Sequence, residues 1–395
     1  MAVSRGSYTK HIAKYIFPSV RTAIDAILSY NEISRAELRS EFVRNNSIIE
    51  YDQSRSYQVT RPKAYNIWAE EMDRMRGEHQ ISKPFVGTLS NAHLIGSHPL
   101  VFYKKNNVKE AAIKSTIRSL NVMNSIFSAP YQIASNNSNR DKIDEAVLLY
   151  HSWNNGYFHW IAETIVQLEG VEKYIMETGR RPKLIVGPEL NQFQSEILNL
   201  LGYGSDDLIK WTNYYAKVDK LVIPSVRREI NPGRPSPFPY HWIRSQFRRK
   251  CMNEVDTNRF SDRVYISRND AGERRVINET EVYSTLKKYG FERYTLSSMN
   301  VKEIVTLFAQ AEIIIGPHGA GLTDIIYADD VSVIEFHPED RLNGIYFMLT
   351  EQVDSWYGYL ICQSETPRTN DMIVDIGELE KLLYSAMIKE HKGKI

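Results

Sequence analysis

The stretch from residue 312 to residue 328, EIIIGPHGAGLTDIIYA, constrains the fold of this chain most strongly. Its β-branched run, residues 313–315, predicts a buried strand, which glycine and proline then interrupt. The apolar residues that follow, Leu322, Ile325 and Ile326, have helical spacing. A strand, a glycine-rich turn and a helix start together favour phosphate binding, because backbone N–H groups and the helix dipole point at the anion.

The residues of the glycine turn limit which known ligand-binding motifs it can be. His318 lies inside it and can add a hydrogen-bond donor. The turn is not GxGxxG, and it is not a P-loop, because no Gly-Lys-Ser/Thr follows. Glycine turns between a strand and a helix are common, so on this stretch alone an ordinary structural turn remains the alternative.

The second half of the chain alternates between strand and helix patterns. This alternation predicts βαβ units and a parallel sheet, whose ligands bind at the carboxyl ends of the strands. The predicted strands are 263–267, 294–296, 313–315, 331–336 and 357–361. The predicted helices are 240–252, 278–289, 301–311, 343–351 and 376–389. Two of these helices begin with the spacing of a capping box, Asn278 with Glu281 and Asn300 with Glu303.

The first half is less regular. Residues 1–80 have a charged, helical pattern that packs on the body of the protein or, alternatively, touches a membrane surface. Farther on, apolar runs predict strands at 183–186, 209–211 and 217–223, with a helix at 190–201. Four prolines within 231–240 predict a linker. The predicted organisation is therefore a helical N-terminal extension and two α/β domains with a final helix, at 1–80, 81–232, 240–375 and 376–395.

Length and composition set broader limits. A chain of 395 residues is too long for one ordinary core, and its 42% hydrophobic and 25% charged residues are typical of soluble globular proteins. The net charge of +1 gives no field that favours nucleic acid. Cys251 and Cys362 form neither a metal motif nor a disulfide framework. No apolar stretch is long enough to span a membrane, and the N-terminus lacks a signal-peptide core, so we expect a cytoplasmic protein.

A second informative stretch is HSWNNGYFHWIAE, residues 151–163. Its Asn-Asn-Gly predicts a turn, and the pattern beyond it predicts a helix at 157–174. His159 and Glu163 are four positions apart, so they share one helical face and could act as a base with its orienting carboxylate. From the spacing alone, a surface polar pair or a satisfied core histidine is the favoured interpretation.

Charged side chains follow several strands of the predicted C-terminal sheet. Arg268 follows one strand directly, Arg274 and Arg275 follow a short loop, His318 lies in the glycine turn, and Glu335 ends a strand. Two arginines and a helix start can neutralise a pyrophosphate, and a carboxylate can accept from ribose hydroxyls. Surface salt bridges are the alternative for any single arginine. No Asp-x-Asp follows a strand, so the pattern favours a site that needs no metal.

Four motifs in order resemble those of glycosyltransferase family 61: NGYFHWIAETI, YISRNDAGERRVINETE, IIIGPHGAGLTDIIYA and VSVIEFHP. The stretch KPFVGTLSNAHLIGSHPLVFY also resembles the family's N-terminal strand region, so the resemblance covers residues 83–375. That family includes an EGF-domain-specific O-GlcNAc transferase, plant xylosyltransferases and bacterial capsular polysaccharide proteins. The resemblance implies an α/β chain of GT-B architecture, with two Rossmann-like domains facing across a cleft. It also implies inverting chemistry without an essential metal or cofactor.

The resemblance assigns roles to individual residues by their place in the motifs. For the donor, it implies that Arg268 and Arg275 hold the diphosphate and that Glu335 reaches the ribose. The donor turn would be lined by His318, Gly319, Ala320, Gly321 and Thr323.

In the N-terminal domain, the resemblance makes His159 and Glu163 the catalytic pair, without deciding which is the base. The family often has aspartate where this chain has Glu163. Asn155 and Tyr157 would contact the acceptor.

The sequence therefore predicts an inverting transferase that moves a sugar from a nucleotide-diphosphate donor, most simply a UDP-sugar. The acceptor would be a hydroxyl of a glycan, a polysaccharide or a lipid-linked molecule, with no nucleic-acid partner. A non-catalytic protein that binds sugar nucleotides or glycans on the same scaffold is the alternative. A dehydrogenase is disfavoured because no GxGxxG follows an early strand.

Overall fold

The computed structural model describes residues 31–104, 106–111, 141–226, 239–252, 254–256, 259–366 and 368–393. These residues form two compact units. Unit 1 comprises the described residues of Met1–Gln53, Lys83–Gln194 and Gly202–Arg227. Unit 2 comprises those of Ser54–Ser82, Ser195–Leu201 and Arg228–Ile395. Most of the predicted linker and the predicted helices before residue 31 lie outside the described residues.

Unit 1 is built on one mixed sheet. Its strands are β1 Glu32–Ile33, β2 Ile49–Glu50, β6 Phe85–Ile95, β7 Leu100–Tyr103, β8 Asn106–Val108, β9 Asp141–Leu148, β10 Lys183–Val186, β11 Leu208–Lys210 and β12 Tyr215–Pro224. Their order in the sheet is β1-β8-β7-β6-β12-β9-β10-β11, with β2 paired to β6. Strands β9 to β12 pair in parallel, whereas β6 runs antiparallel to β12.

Helices connect and cover this sheet. Arg35–Arg44 begins with a capping box, in which Ser34 Oγ accepts from the N–H of Glu37 and the Glu37 carboxylate accepts from the N–H of Ser34. Phe42 of this helix packs onto Gly87, where an added Cβ would lie 2.2 Å from the phenylalanine ring. The helices Leu168–Thr178 and Gln192–Leu200 follow in the chain. The second confirms the helix predicted at 190–201, whereas the first covers only the end of the helix predicted at 157–174.

Unit 2 is built on a largely parallel sheet, as the strand and helix alternation predicted. The strands of this unit are β3 Arg55–Val59, β4 Ala64–Tyr65, β5 Gly77–Ile81, β13 Arg263–Ile266, β14 Glu292–Tyr294, β15 Ile313–Pro317, β16 Ser332–Pro338, β17 Trp356–Thr366 and β18 Asp371–Ile373. The order in the sheet is β14-β13-β15-β16-β17-β18, and β4 pairs in parallel with β17. Among the pairs described for this sheet, only β18 is antiparallel to its neighbour. Strands β3 and β5 form a separate antiparallel pair.

The α-helices of unit 2 after residue 240 lie where the sequence patterns predicted them, within a few residues. They are His241–Cys251, Glu279–Lys287, Val301–Gln310, Ile345–Gln352 and Ile376–Gly393. The short helix Glu70–Asp73 was not predicted separately. No helix among the described residues has both the length and the apolar character needed to cross a membrane.

The prediction of a helical segment up to residue 80 is wrong for its described part. Residues 31–80 contain strands β1 to β5 as well as helix, and the segment Ser54–Ser82 belongs to unit 2. The short strand β4 adds to the edge of the unit 2 sheet through β17. Pairing with a distant strand therefore decides the structure here, and local helical pattern does not.

Each sheet contains a point at which the strand order reverses. In unit 1 the chain continues from β9 to β10 and β11 on one side, and then returns as β12 on the other side of β9. In unit 2 the chain passes from β13 to β14 on one side, and then to β15 on the other side of β13. Ligands of open α/β sheets bind beyond the carboxyl ends of strands at such points. The residues that follow β9, β13 and β15 are therefore the places to look for function.

Candidate active site

The glycine turn of unit 2 follows β15 directly. The N–H of His318 donates to the carbonyl of Phe336 at 2.8 Å, which fixes the turn to the end of β16. The residues Ala320–Tyr327 then form a 3-10 helix, whereas the sequence favoured an α-helix. The Thr323 hydroxyl donates to the Ala320 carbonyl at 2.6 Å. In an α-helix, the Ala320 carbonyl would accept from the backbone N–H four residues farther along. The Thr323 hydroxyl therefore competes with α-helical bonding.

Gly319 gives an arginine room to cross the turn. A Cβ at position 319 would lie 2.1 Å from Nη1 and 2.8 Å from Cζ of Arg268. Arg268 follows β13, and β13 pairs with β15, so the predicted arginine and the predicted glycine turn do meet. A Cβ at Gly321 would similarly lie 2.6 Å from Leu296 Cδ1. Ala320 and Gly321 are partly exposed, whereas Thr323 is fully buried.

Arg274 lies beside Arg268, and we call these two residues the arginine pair. The Nε atoms of both guanidinium groups are buried and donate to no acceptor among the described residues. Arg268 Nη2 donates to the carbonyl of Glu273 at 3.2 Å, and Arg274 forms an ion pair with the Glu273 carboxylate. Burial lowers the pKa of Arg268, and the charge of Arg274 lowers it further. Two partly buried guanidinium groups with unused donors are suited to an anion.

The backbone places Arg274 and Arg275 differently. Arg274 has φ +59°, in the left-handed region that a long side chain seldom adopts. Arg275 donates to Asp371 through Nε at 3.1 Å and Nη2 at 2.6 Å, and its N–H donates to the same carboxylate. This two-pronged pair ties the segment to β18. The guanidinium group beside Arg268 belongs to Arg274, and the predicted role of Arg275 at the diphosphate stays a prediction.

Glu335 lies in a set of side chains that we call the buried histidine cluster: His318, Glu335, His337 and Tyr357. Glu335 is fully buried, and its two oxygens accept from His318 Nδ1 and from the Tyr357 hydroxyl, each at 2.5 Å. His337 Nε2 lies 3.4 Å from the same carboxylate, and the two imidazole rings stack at 5.2 Å. Burial raises the pKa of Glu335, but His337 and His318 outweigh burial and lower it to about 2.

These contacts define the surroundings of Glu335. Its carboxylate is fully buried and orients His318 within the glycine turn, and its contact with a ribose hydroxyl stays a prediction. Ligand atoms of His318, Glu335 and His337 lie within 4.8 Å of one another and could hold a metal ion. Both carboxylate oxygens already have donors, whereas His337 Nδ1 is buried without a hydrogen-bond partner among the described residues. Metal independence stays a prediction.

The second predicted pair lies in unit 1, after the carboxyl end of β9. Tyr157–His159 forms one short α-helical turn, and the π-helical residues Trp160–Thr164 follow. His159 Nδ1 lies 3.0 Å from Glu163 Oε2. The side chain of Glu163 is 1% exposed and that of His159 is 22% exposed. The predicted pair is therefore formed, with the histidine on the outside and the carboxylate behind it.

The residues around this pair include the two predicted acceptor contacts. Asn155 is exposed, and Tyr157 is half-buried with its ring edge-on to Phe193 at 5.2 Å. Trp153 lies beside His159, with ring centres 5.3 Å apart. The sequence interpretation did not single out Trp153, although its place in the same Asn-Asn-Gly turn was a usable signal.

His337 and Tyr357 were missed for a different reason. His337 is two residues beyond Glu335 on one strand, so the period of two places both side chains on one face. Tyr357 comes from the neighbouring strand β17, and only the strand pairing brings it there.

Residues 157–334 match the model of the family Glycosyltransferase 61. The matched region includes His159, Glu163, the arginine pair and the glycine turn, and it ends one residue before Glu335. A search of curated proteins gives no match to the chain. This match confirms the resemblance drawn from the motifs, and it supports a glycosyltransferase, because the matched family consists of sugar-transferring enzymes.

Proposed function

We propose that the protein is an inverting, metal-independent glycosyltransferase that uses a nucleotide-diphosphate sugar, most simply a UDP-sugar. The acceptor would be a hydroxyl of a glycan, a polysaccharide or a lipid-linked molecule. One observation supports the donor class above all others. Arg268 and Arg274 present buried, unused Nε donors beside a glycine turn, beyond the carboxyl ends of β13 and β15 where the strand order reverses.

The donor diphosphate would bind across the arginine pair. Charge-assisted hydrogen bonds from guanidinium groups to phosphate are short and strong. Arg274 pairs with the Glu273 carboxylate, whereas Arg268 donates to the Glu273 backbone carbonyl. Backbone N–H groups of the turn from Gly319 to Gly321 would add donors. When the bond to the sugar breaks, negative charge grows on the departing diphosphate. The same donors would stabilise that charge, and this lowers the barrier to transfer.

His159 would act as the general base. Its imidazole is accessible, whereas the Glu163 carboxylate is almost fully buried behind it, so an acceptor hydroxyl meets the histidine first. With Nδ1 held by Glu163, Nε2 would take the proton while the acceptor oxygen attacks the anomeric carbon opposite the leaving group. Glu163 would fix the tautomer and stabilise the imidazolium ion that forms. General-base help of this kind contributes about 10²–10⁴-fold to a rate.

The presence of two α/β units supports the GT-B architecture that the family resemblance implies. In this proposal unit 2 binds the donor nucleotide, and unit 1 supplies the base and acceptor contacts. Both units carry their candidate residues after the strand at which the order reverses, as nucleotide-binding α/β folds do.

A thermal-shift screen tests the donor site. UDP, GDP, CMP, ADP and NAD would each be added with and without EDTA to the wild type, Arg274→Ala and Arg275→Ala. A ligand at 100 times its dissociation constant stabilises by about 2.7 kcal/mol, which the screen resolves. We expect UDP to shift the wild type with or without EDTA. Arg274→Ala should lose that shift, and Arg275→Ala, the matched control, should keep it.

Three other outcomes would change the proposal. No shift with any nucleotide would overturn the donor site. A UDP shift that EDTA removes would overturn metal independence and direct attention to the buried histidine cluster. A UDP shift without donor hydrolysis or transfer would favour the alternative, a non-catalytic protein that binds sugar nucleotides.

A further inference from the structure

Trp153 is an exposed tryptophan beside the candidate base. All six tryptophans of the chain lie among the described residues, and Trp153, at 52% exposed, is the most exposed of them. Single exposed apolar residues are common on protein surfaces, so exposure alone carries little meaning. The position of this ring is more informative. Its centre lies 5.3 Å from that of His159, with the two planes inclined at 59°.

The turn that carries Trp153 is fixed by buried polar groups. Asn154 Nδ2 donates to the carbonyl of Leu149 at 2.7 Å, and Asn154 Oδ1 accepts from the N–H of His151. The Asn154 carbonyl accepts from Gln194 Nε2 at 2.8 Å. His151 Nε2 lies 3.0 Å from the hydroxyl of Thr164, in the π-helical turn that also contains Glu163. Buried polar networks of this kind rigidify the backbone they bind.

The network also holds Trp153 itself. The N–H of Trp153 donates to His151 Nδ1 at 3.2 Å, and its carbonyl accepts from the N–H of Gly156 at 3.0 Å. The residues on this turn alternate sharply in exposure, with His151 and Asn154 buried while Trp153 and Asn155 face outward. The buried side of the turn therefore fixes the backbone from which the indole ring projects. A site whose supporting groups are locked in this way holds its contacting residue in one geometry.

We propose that Trp153 is the stacking platform for a pyranose ring of the acceptor, which makes the acceptor a carbohydrate. The inference rests on the proposed function and deepens it. A pyranose has a face of C–H groups and an edge of hydroxyls. The indole has an extended apolar face with negative charge above the ring, which suits the C–H face. A ring lying on Trp153 would present its hydroxyl edge to the adjacent His159 and to the exposed amide of Asn155.

The acceptor ring is favoured over the donor ring for one reason. The base must contact the hydroxyl that attacks, so the sugar beside His159 is the one that carries the nucleophile. The groups suited to the donor diphosphate, the arginine pair and the glycine turn, belong to unit 2, whereas Trp153 and His159 belong to unit 1.

Direct binding of simple sugars tests the proposal without requiring turnover. Saturation-transfer NMR would be recorded with methyl glucopyranoside, galactopyranoside, mannopyranoside and xylopyranoside. The samples would be the wild type, Trp153→Ala, Trp153→Phe and Met176→Ala. Met176 is the matched control, because it is an apolar residue of unit 1 that is 74% exposed. We expect at least one pyranoside to bind the wild type and Met176→Ala, with binding weakened roughly tenfold in Trp153→Ala and less in Trp153→Phe.

UDP thermal shifts measured on the same samples separate the two proposals. Pyranoside binding that persists undiminished in Trp153→Ala would overturn the platform. No pyranoside binding to the wild type, together with a normal UDP shift, would also overturn it and leave the proposed donor site intact. Pyranoside binding that depends on Trp153 without any UDP shift would support the platform and remove the donor assignment. If only UDP-linked sugars bind through Trp153, the ring belongs to the donor and the acceptor assignment is wrong.

Discussion

The chain contains two histidine–glutamate pairs that differ in how they are enclosed. In unit 1, His159 is 22% exposed and has the carboxylate of Glu163 behind it at 3.0 Å. In unit 2, His318 is 7% exposed, and its partner Glu335 also accepts from Tyr357 and lies 3.4 Å from His337. The same two residue types therefore form an accessible pair in one unit and a closed network in the other.

This difference indicates that the two histidine–glutamate pairs have different roles. A group that takes a proton from a substrate must be reachable and must tolerate a change of charge, as His159 can at the edge of its pair. A fully buried carboxylate with several donors is costly to disturb, because removing any partner leaves a buried polar group unsatisfied. We therefore expect changes in the first pair to affect catalysis and changes in the second to affect stability. The following experiments test this division between catalysis and stability.

The largest effect is expected from His159→Gln. Loss of the base should lower the rate of transfer about 10²–10⁴-fold, because general-base catalysis contributes that much. The melting temperature should change less than activity, since the side chain is partly exposed and lies in the short turn before the π-helical residues. Transfer assays and thermal melts would be compared with His93→Gln, a half-buried histidine of unit 1 that contacts Tyr215 at 2.9 Å. If Glu163→Gln abolished transfer while His159→Gln did not, the carboxylate would be the base.

Glu335→Ala should have the next largest effect, on stability. Removing this carboxylate leaves His318, His337 and Tyr357 without their shared partner, and broken buried ion pairs cost about 3–5 kcal/mol. Urea unfolding would measure the loss. The control is Glu378→Ala, which breaks an exposed pair with Lys381 and should cost about 0–1 kcal/mol. Equal losses in the two variants would show that the buried histidine cluster does not hold the fold.

Tyr357→Phe should have a smaller effect of the same kind. The substitution keeps the ring and removes one donor to Glu335, so we expect a loss of about 1–3 kcal/mol in the free energy of unfolding. Tyr289→Phe is a suitable control, because the Tyr289 hydroxyl donates to Glu380 at 3.2 Å in a partly exposed position. If Tyr357→Phe left stability unchanged but slowed transfer as much as His159→Gln did, Tyr357 would be catalytic and the division between the pairs would fail.

Mild acidification should have the smallest effect. The pKa of Glu335 is lowered from 4.5 to about 2, so the folded protein binds this proton less readily than the unfolded chain. Its contribution to stability is then complete above pH 4.5 and is lost as the pH falls from 4.5 toward 2. Urea unfolding from pH 7 to pH 3 should show an added decline below pH 4.5 in the wild type that is missing in Glu335→Gln. Parallel curves for the two proteins would contradict the assignment.

Local sequence predicted the elements whose structure is decided locally. The Ile313–Ile315 run forms β15, and the Asn300–Glu303 capping box forms with both of its hydrogen bonds. The similar Asn278–Glu281 spacing does not form a capping box. The Asn278 side chain instead bonds the backbone of Val374, 96 residues away. Sequence spacing could not distinguish the two, because the competing partner arrives only when the chain folds.

The same limit applies to the candidate site. The motifs identified Arg268, the glycine turn and the His159–Glu163 pair, since each of these depends on a strand end or on one helical face. The choice between Arg274 and Arg275 depended on a left-handed backbone at Arg274 and on Asp371, contributed by β18. Neither feature leaves a local pattern, so the sequence could not show that Arg274 is the arginine that lies beside Arg268.

The contact between Gly319 and Arg268 makes the two positions interdependent. Because an added Cβ would lie 2.1 Å from Arg268 Nη1, any side chain at 319 must displace the guanidinium group. A Gly319→Ala enzyme would therefore behave as an arginine-deficient enzyme although every arginine is present. Homologues that carry a side chain at this position are expected to have a shorter residue in place of the arginine, so the two sites should vary as a pair.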